Sequence, residues 1–290
     1  MKRLLITGAG SFVGTSVQHH FEEFPDRYVV QSVGTKNGEW KDMDFSVFDT
    51  VYHVAGLAHS DVGNVTDEVK AKYYAVNTDL AIEVAKKAKD EGVKQFIFMS
   101  SAIVYGDSAP IGVKKIITRT SDYSPANFYG DSKVQAEKGL LPLGSDFFKV
   151  VILRCPMIYG KGGKGNFPVL EKMALKMPIF PKVDNARSML YVGNLAEFVR
   201  LMVDNEEAGI FWPCNKEWSN TSELVKLIAK CHGKKVHLVP GFSWVLMGLS
   251  HITGYVNKAF GNLAYEEHLG DYITEYRRYS LEESIKETEG

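Results

Sequence analysis

The chain has 290 residues, 45% of them apolar and 24% charged, with a formal net charge of −1. That balance suits a soluble globular protein: one large α/β domain, or a nucleotide-binding domain with a smaller appendage. It gives neither nucleic acid nor an anionic membrane a global electrostatic reason to bind. No apolar run is long enough to span a bilayer; the best candidate, Phe242 to Ile252, is short and carries Ser243, Ser250 and His251. Cys155, Cys214 and Cys231 are odd in number, far apart and in no metal-ligand spacing. The expectation is buried thiols, no metal site and, without a signal-peptide layout at the N-terminus, a reducing cytoplasm.

Leu4, Leu5 and Ile6 form a short apolar run that a glycine cluster ends, and Val13, Val17, Phe21 and Phe24 then recur at helical spacing. Strand, tight turn and helix in that order aim a helix N-terminus at an anion. Glycines at 8, 10 and 14 let the backbone turn, approach a pyrophosphate and pack helix on strand; the plain alternative is an ordinary βα turn. Tyr28 to Val33 reads as a second strand. A dinucleotide fold sets an acid near its end for the adenosine ribose, but Gln31 to Asn37 contains none. Lys36 then either pairs with a 2′-phosphate or is a solvated loop charge, and NAD and NADP both stay open. The piece from Gly34 to Phe48 is too short for a full crossover helix plus a strand.

Thr50 to Val54 predicts a third strand, ending in Ala55-Gly56, small residues that let a cofactor lie close. Asp67 to Lys89 follows as one long helix with Ala75, Val76, Leu80, Val84 and Ala88 along a face. Gln95 to Met99 is a fourth strand running into Ser100-Ser101, Asn127 to Leu140 a helix, and Lys149 to Arg154 a fifth strand. This alternation predicts an α/β fold with a doubly wound parallel sheet and ligands at the strands' carboxyl ends. The expected division is a dinucleotide-binding domain over 1–155 and a smaller α/β substrate-binding region over 156–290, interleaved with the first. In the second part Phe167 to Lys176, Gly193 to Asp204 and Ser222 to His232 read as helices, the last closed by Gly233. Ile210 to Pro213 and Val236 to Val239 read as strands, and Ser280 to Glu283 is a capping-box signature.

Of the 14 tyrosines, Tyr129 alone has a lysine four places on, Lys133. The two share a helical face at about 5–6 Å between Cβ atoms. A neighbouring ammonium stabilises phenolate, so Lys133 is expected to pull the Tyr129 phenol toward neutrality. Ser101, at a strand's carboxyl end, offers a hydroxyl that holds a reacting oxygen in line with that phenol. The bland readings are a surface Tyr–Lys contact and a turn-capping serine.

With the glycine turn, Ser101, Tyr129 and Lys133 in this order, the chain resembles the short-chain dehydrogenase/reductase superfamily. More narrowly it resembles the extended branch acting on nucleotide sugars, typified by UDP-glucose 4-epimerase. Thr7-Gly8-Ala9-Gly10-Ser11-Phe12-Val13-Gly14 is similar to that family's TGxxGxxG turn, departing at Ser11, where the family has its middle glycine. His53-Val54-Ala55-Gly56, Asn77, and Ser100-Ser101 to Tyr105-Gly106 match its strand end, helical asparagine and SSxxvYG segment. The resemblance implies that Ser101, Tyr129, Lys133 and Asn77 are catalytic or support the site, with Lys133 also binding the nicotinamide ribose. Leu153-Arg154 to Tyr159-Gly160 resembles LRxxxxYG, implying that Pro156 and Ile158 pass beside the nicotinamide. Arg187 to Ala196 resembles RxxxhVxDlA, in which Arg187 binds a sugar-nucleotide diphosphate, a task that suits a planar guanidinium; a surface ion pair is the alternative. Asn194 stands for the family's Asp and is expected to cap that helix without charge. Lys164-Gly165-Asn166-Phe167 resembles a KxNF substrate loop.

The function implied is hydride exchange at C4 of a UDP-hexose: an NAD(P)-dependent epimerase, or a reductase if a 4-ketosugar arrives from solution. A dehydratase would carry an Asp-Glu pair where Val104-Tyr105-Gly106 follows the active-site segment. A non-catalytic dinucleotide sensor on the same fold is the reading from another class. The resemblance also implies a homodimer built from the helices around Asp67–Lys89 and Asn127–Leu140, marked by a strip of exposed apolar residues.

Overall fold

The computed structural model describes residues 1–58, 65–242, 257 and 259–290; of the apolar stretch considered above, everything after Phe242 lies outside the described residues. Among the described residues no helix is long and apolar enough to cross a membrane. In chain order the first elements are β1 (Lys2–Thr7), α1 (Phe12–Glu22), β2 (Tyr28–Val33), β3 (Thr50–His53), α2 (Asp67–Tyr74), α3 (Leu80–Asp90) and β4 (Gln95–Ser101). Then come β5 (Ile116–Ile117), α4 (Phe128–Leu140), β6 (Lys149–Cys155), β7 (Met157–Tyr159), α5 (Phe167–Lys176), β8 (Ile179–Pro181) and β9 (Met189–Tyr191). The rest are α6 (Val192–Asp204), β10 (Gly209–Phe211), α7 (Thr221–Cys231), β11 (His237–Val239), β12 (Ala264–Tyr265) and a final helix, Leu281–Glu289.

The chain forms two compact units. The first gathers 1–106, 123–155 and 195–213; the second gathers 107–122, 156–194 and 214–290. The first is built on a six-stranded sheet in the order β10-β6-β4-β3-β1-β2, every pairing parallel. Its strands are apolar runs because a parallel sheet is covered on both faces. On one face Leu5, Val51, Phe96 and Phe98 share a buried cluster with Val84 of α3 and Leu140 of α4. Where the 34–49 connection lacks a crossover helix, Trp40 and Phe45 enter the same cluster and fill the space. On the other face α1 and α6 are tied by His20 and Glu197, 2.9 Å apart, with Glu197 also forking Arg200.

The helix predicted over Asp67–Lys89 runs from Asp67 to Asp90, but Ala75–Asp79 at its middle is a π-helical turn. Of the strip of exposed apolar residues expected on this helix and α4, Tyr74, Val76, Leu80 and Ile82 are half-buried rather than exposed. The outward positions include Lys72, Asp79, Glu83, Lys86, Gln135 and Lys138, and the large apolar exceptions are Val69 and Leu141, each 37% exposed. Packing between the helices explains this. A Cβ at Gly139 of α4 would stand 2.2 Å from Cδ1 of Ile82, so the glycine lets α3 seat that side chain within the unit.

The second unit holds three two-stranded parallel ladders, β11-β8, β12-β5 and β7-β9. Its core includes Phe167, Leu170, Phe180, Val225 and Ile228. Strands β5, β7, β8, β9 and β12 are two or three residues long, too short to leave a periodic signal. The Ser280–Glu283 capping box is present in full. Asn194 does not cap its helix as expected: its amide accepts from Tyr279 N (3.0 Å) and donates to Tyr279 O (2.9 Å) and Asn215 Oδ1 (3.2 Å). It lies within the first turn of α6, where both ends of the amide find partners on the second unit's own segments.

Candidate active site

The turn after β1 is built for close approach. Gly8 has φ +120°, and a Cβ there would lie 2.7 Å from Ala55 N and 3.0 Å from Val54 Cγ2. Val54 and Ala55 both donate to Thr7 O at 3.0 Å, pinning the end of β3 beside the turn. Gly10, at φ +73°, faces open space. Ser11, which departs from the family pattern, serves as the N-cap of α1 by accepting from Gly14 N at 3.1 Å. Among the described residues, the Phe12 and Val13 N–H groups have no acceptor in these bonds. Donors at a helix N-terminus, over a cradle that a Cβ would fill, fit a dinucleotide's pyrophosphate. Lys36 is exposed three residues beyond β2, and Val33 O receives both Gly8 N and Ala9 N, so the acid-free loop adjoins the turn.

Continuing from Ala55, Gly56 meets two of the candidate residues: a Cβ on it would stand 3.2 Å from Asn77 Oδ1 and 3.4 Å from Lys133 Nζ. Asn77, fully buried on the π-turn, accepts from Leu57 N at 2.7 Å and donates to Leu57 O and Ser132 Oγ. The widened turn is what swings this amide across to α4. Ser101 ends β4 and N-caps a 3₁₀ turn, Ala102–Tyr105. Asn127 caps α4 by accepting from Gly130 N at 3.0 Å, and a Cβ on Gly130 would come within 2.9 Å of Ile103 O. That glycine therefore lets the start of α4 rest on the turn after β4, bringing the Tyr129 phenol into hydrogen bond with Ser101.

One expectation is corrected here. The Tyr129 phenol is not acidified by Lys133 but pushed up to about 12, chiefly by burial; Ser101's hydrogen bond works the other way, and Tyr73 and Cys155 add to the rise. The ammonium is engaged elsewhere, donating to Met99 O at 2.8 Å and lying 4.6 Å from the Phe98 ring centroid. Helical spacing puts the two residues on one face; it does not turn the cation to the phenol. Burial also lowers Lys133 itself to about 8, opposed by Glu137 and Cys155. His53, with Nδ1 2.8 Å from Thr7 Oγ1 and its ring stacked on Phe96 and Phe98, is held neutral by burial, at about 3.

Ser101, Tyr129, Lys133, Asn77, Val54, Ala55, Gly56 and the 8–14 turn thus share the first unit. Pro156, Ile158, Asn166 and Arg187 belong to the second. There Ile158 pairs with Leu190, and Asn166 is exposed at the start of α5. Arg187 exchanges backbone bonds with Ser219 and donates to Gly261 O at 3.4 Å, with burial lowering its guanidinium to about 10.

The family model described as "NAD dependent epimerase/dehydratase family" matches residues 4–211. The chain belongs to that family. It is an NAD(P)-dependent enzyme of the nucleotide-sugar epimerase/reductase kind. The chain is 30% identical to a UDP-glucose 4-epimerase of Vibrio cholerae, over 99% of the chain and 94% of that protein. It is 28% identical to an N-acetyl-α-D-glucosaminyl-diphospho-ditrans,octacis-undecaprenol 4-epimerase of Escherichia coli O157:H7, over 80% of the chain and 73% of that protein. In fold it is similar to a dTDP-4-dehydrorhamnose reductase of Clostridium acetobutylicum (18% identity, 99% and 98% coverage, TM-score 0.73). It is equally close to a UDP-glucuronic acid 4-epimerase of Bacillus cereus in complex with NAD (16%, 98% and 96%, 0.73).

Reading motifs missed several residues that the folded family member places around this cluster. Tyr73 stands edge-on to the Tyr129 ring at 5.9 Å; its signal was its place four residues before Asn77, one turn up the same helix. Glu137, four residues after Lys133, and Arg154 form a buried ion pair with Nη2 and Oε2 2.7 Å apart. The YxxxK spacing extended by one more turn would have pointed to Glu137.

Proposed function

We propose that this chain interconverts C4 epimers of a UDP-hexose. The observation that carries this is one continuous line of contacts: the phosphate turn at Gly8 meets Ala55, the next residue meets Lys133 Nζ and Asn77, and Tyr129 bonds Ser101. Phosphate anchor, acid/base and oxygen-binding hydroxyl therefore lie within one unit, in the order the chemistry needs. Tyr129, as phenolate, takes the C4 hydroxyl proton and later returns it to the opposite face's product. Ser101 donates to the C4 oxygen as it gains carbonyl character. Gly8, Gly10, Ser11, Phe12, Val13 and Gly14 hold the pyrophosphate, Lys133 the ribose, and Arg187 with Asn166 the sugar nucleotide.

A phenol at about 12 is far from working as a base at neutral pH. A unit charge about 4 Å away, at an effective dielectric of about 20, is worth about 4 kcal/mol, or about 3 pH units. With the Lys133 ammonium turned to the Met99 carbonyl, the positive charge that lowers the phenol would come from a bound oxidised nicotinamide, which would also accept hydride from C4 and, once reduced, return it.

One observation favours a second reading. The acid-free end of β2 with exposed Lys36 suits NADP and exchange of cofactor, hence a 4-ketosugar reductase; retained cofactor after purification argues for the epimerase, freely exchanging NADPH for the reductase. Tyr129→Phe tests both. Turnover falls by about 10²–10⁴ while cofactor affinity stays at the wild-type value; undiminished turnover refutes the acid/base assignment.

A further inference from the structure

The second unit holds a buried hydroxyl with no hydrogen-bond partner among the described residues. Ser219 is 1% exposed, too little for bulk solvent to satisfy it, and its Oγ meets neither a donor nor an acceptor. Such an orphan weakens a fold, and an alanine in its place would not. Its surroundings show what it is placed for. Ser219 and Arg187 oppose each other in an antiparallel bridge, Arg187 N donating to Ser219 O at 3.0 Å and Ser219 N to Arg187 O at 2.8 Å. Residues directly opposite in such a pair send their side chains to the same side, with Cβ atoms about 5 Å apart. The hydroxyl therefore leaves the backbone on the side from which the guanidinium leaves.

The bridge is held from both flanks. Asn185 Nδ2 donates to Thr221 Oγ1 and Thr221 N to Asn185 Oδ1, each at 2.9 Å. On the other flank Ala186 N donates to Asn262 Oδ1 and Tyr265 N to Ser188 Oγ, each at 2.8 Å. Helix α7 starts two residues after Ser219, so the positive end of its dipole adds to the same place. Its leading N–H groups are already taken, Thr221 N by Asn185 and both Ser222 N and Glu223 N by Asn220 Oδ1. The helix end thus contributes field, and the donor still without an acceptor is the serine hydroxyl. From this pairing we infer that Ser219 binds the nucleoside diphosphate of the substrate, its hydroxyl donating to an oxygen of the phosphate that Arg187 holds. This rests on the assignment of Arg187 to the sugar nucleotide made above. A guanidinium supplies the charge; a neutral hydroxyl fixed beside it sets where the phosphate oxygens lie, with little left to order on binding.

The test separates a ligand contact from a part of the fold. Ser219→Ala removes the hydroxyl, and Ser219→Cys keeps the shape with a weak donor. Calorimetric titrations with UDP and with NADH are run on the wild type, both variants and Arg187→Gln, together with thermal melts of the proteins without added nucleotide. UDP binding weakens by about 10–100-fold in Ser219→Ala, as for a lost hydrogen bond to a charged group, and by a similar factor in Ser219→Cys. NADH affinity stays at the wild-type value, and the melting temperature of Ser219→Ala equals or exceeds that of the wild type. UDP affinity within twofold of wild type in Ser219→Ala overturns the inference. A lowered melting temperature, or failure of that variant to fold, overturns it too, because the hydroxyl would then serve the fold. Loss of UDP binding in Arg187→Gln but not in Ser219→Ala removes this inference and leaves the reading of Arg187 standing. Wild-type UDP affinity in Arg187→Gln, or no UDP binding by the wild type, refutes that reading and this inference with it.

Discussion

Gly8→Ala isolates what the phosphate turn contributes. At φ +120° an L side chain is strained, and its Cβ would lie 2.7 Å from Ala55 N, a backbone atom held by its bond to Thr7 O. Local strain of this kind is about 1–3 kcal/mol. The free protein relieves it by shifting the turn away from Ala55, and rebuilding the phosphate-binding shape on association restores the cost. Cofactor affinity therefore drops by a factor of about 5 to 150. Gly10→Ala is the control: φ is again positive at +73°, but nothing lies within 4 Å of the added Cβ, so the loss is confined to the left-handed backbone penalty of about 1–2 kcal/mol. Calorimetric titration of NADH and NADPH into the wild type and both variants measures the order. Wild-type affinity in Gly8→Ala, or a larger loss in Gly10→Ala, refutes the argument that contact with Ala55 shapes the turn.

His53 predicts an acid limb in stability. Its folded value of about 3 lies below the ordinary 6.5, so the unfolded chain binds the proton more readily. Stability from this group is complete above pH 6.5 and is lost as pH falls toward 3, by up to about 5 kcal/mol. Urea melts of His53→Asn should show a flatter decline across that window, and an unchanged slope would locate acid sensitivity elsewhere. For cofactor choice, Lys36→Ala should weaken NADPH binding and leave NADH untouched; equal effects on the two dismiss the 2′-phosphate contact.

The first unit's sheet was readable from the chain because its strands are apolar runs bounded by glycine, serine and alanine at their carboxyl ends. Tyr28–Val33 and Phe167–Lys176 fall on the observed elements residue for residue. Ser101, Tyr129, Lys133 and Asn77, the residues proposed for the site, were legible as types and spacings, since helical periodicity fixes which residues share a face. Spacing carries no information on how deeply a group is buried or where a long side chain points. The phenol's rise to about 12 comes from the protein that encloses it, and the Met99 carbonyl that receives Lys133 belongs to a strand 34 residues away in sequence. The same limit hid the Glu137–Arg154 pair, whose members meet because α4 packs on the sheet, and the seat that Gly139 of α4 gives to the Ile82 side chain of α3. Local sequence determined the elements and the chemical types at their ends. Desolvation and side-chain direction depend on contacts between distant segments, so the folded structure alone decided how deeply each of those groups is buried and which partner it faces.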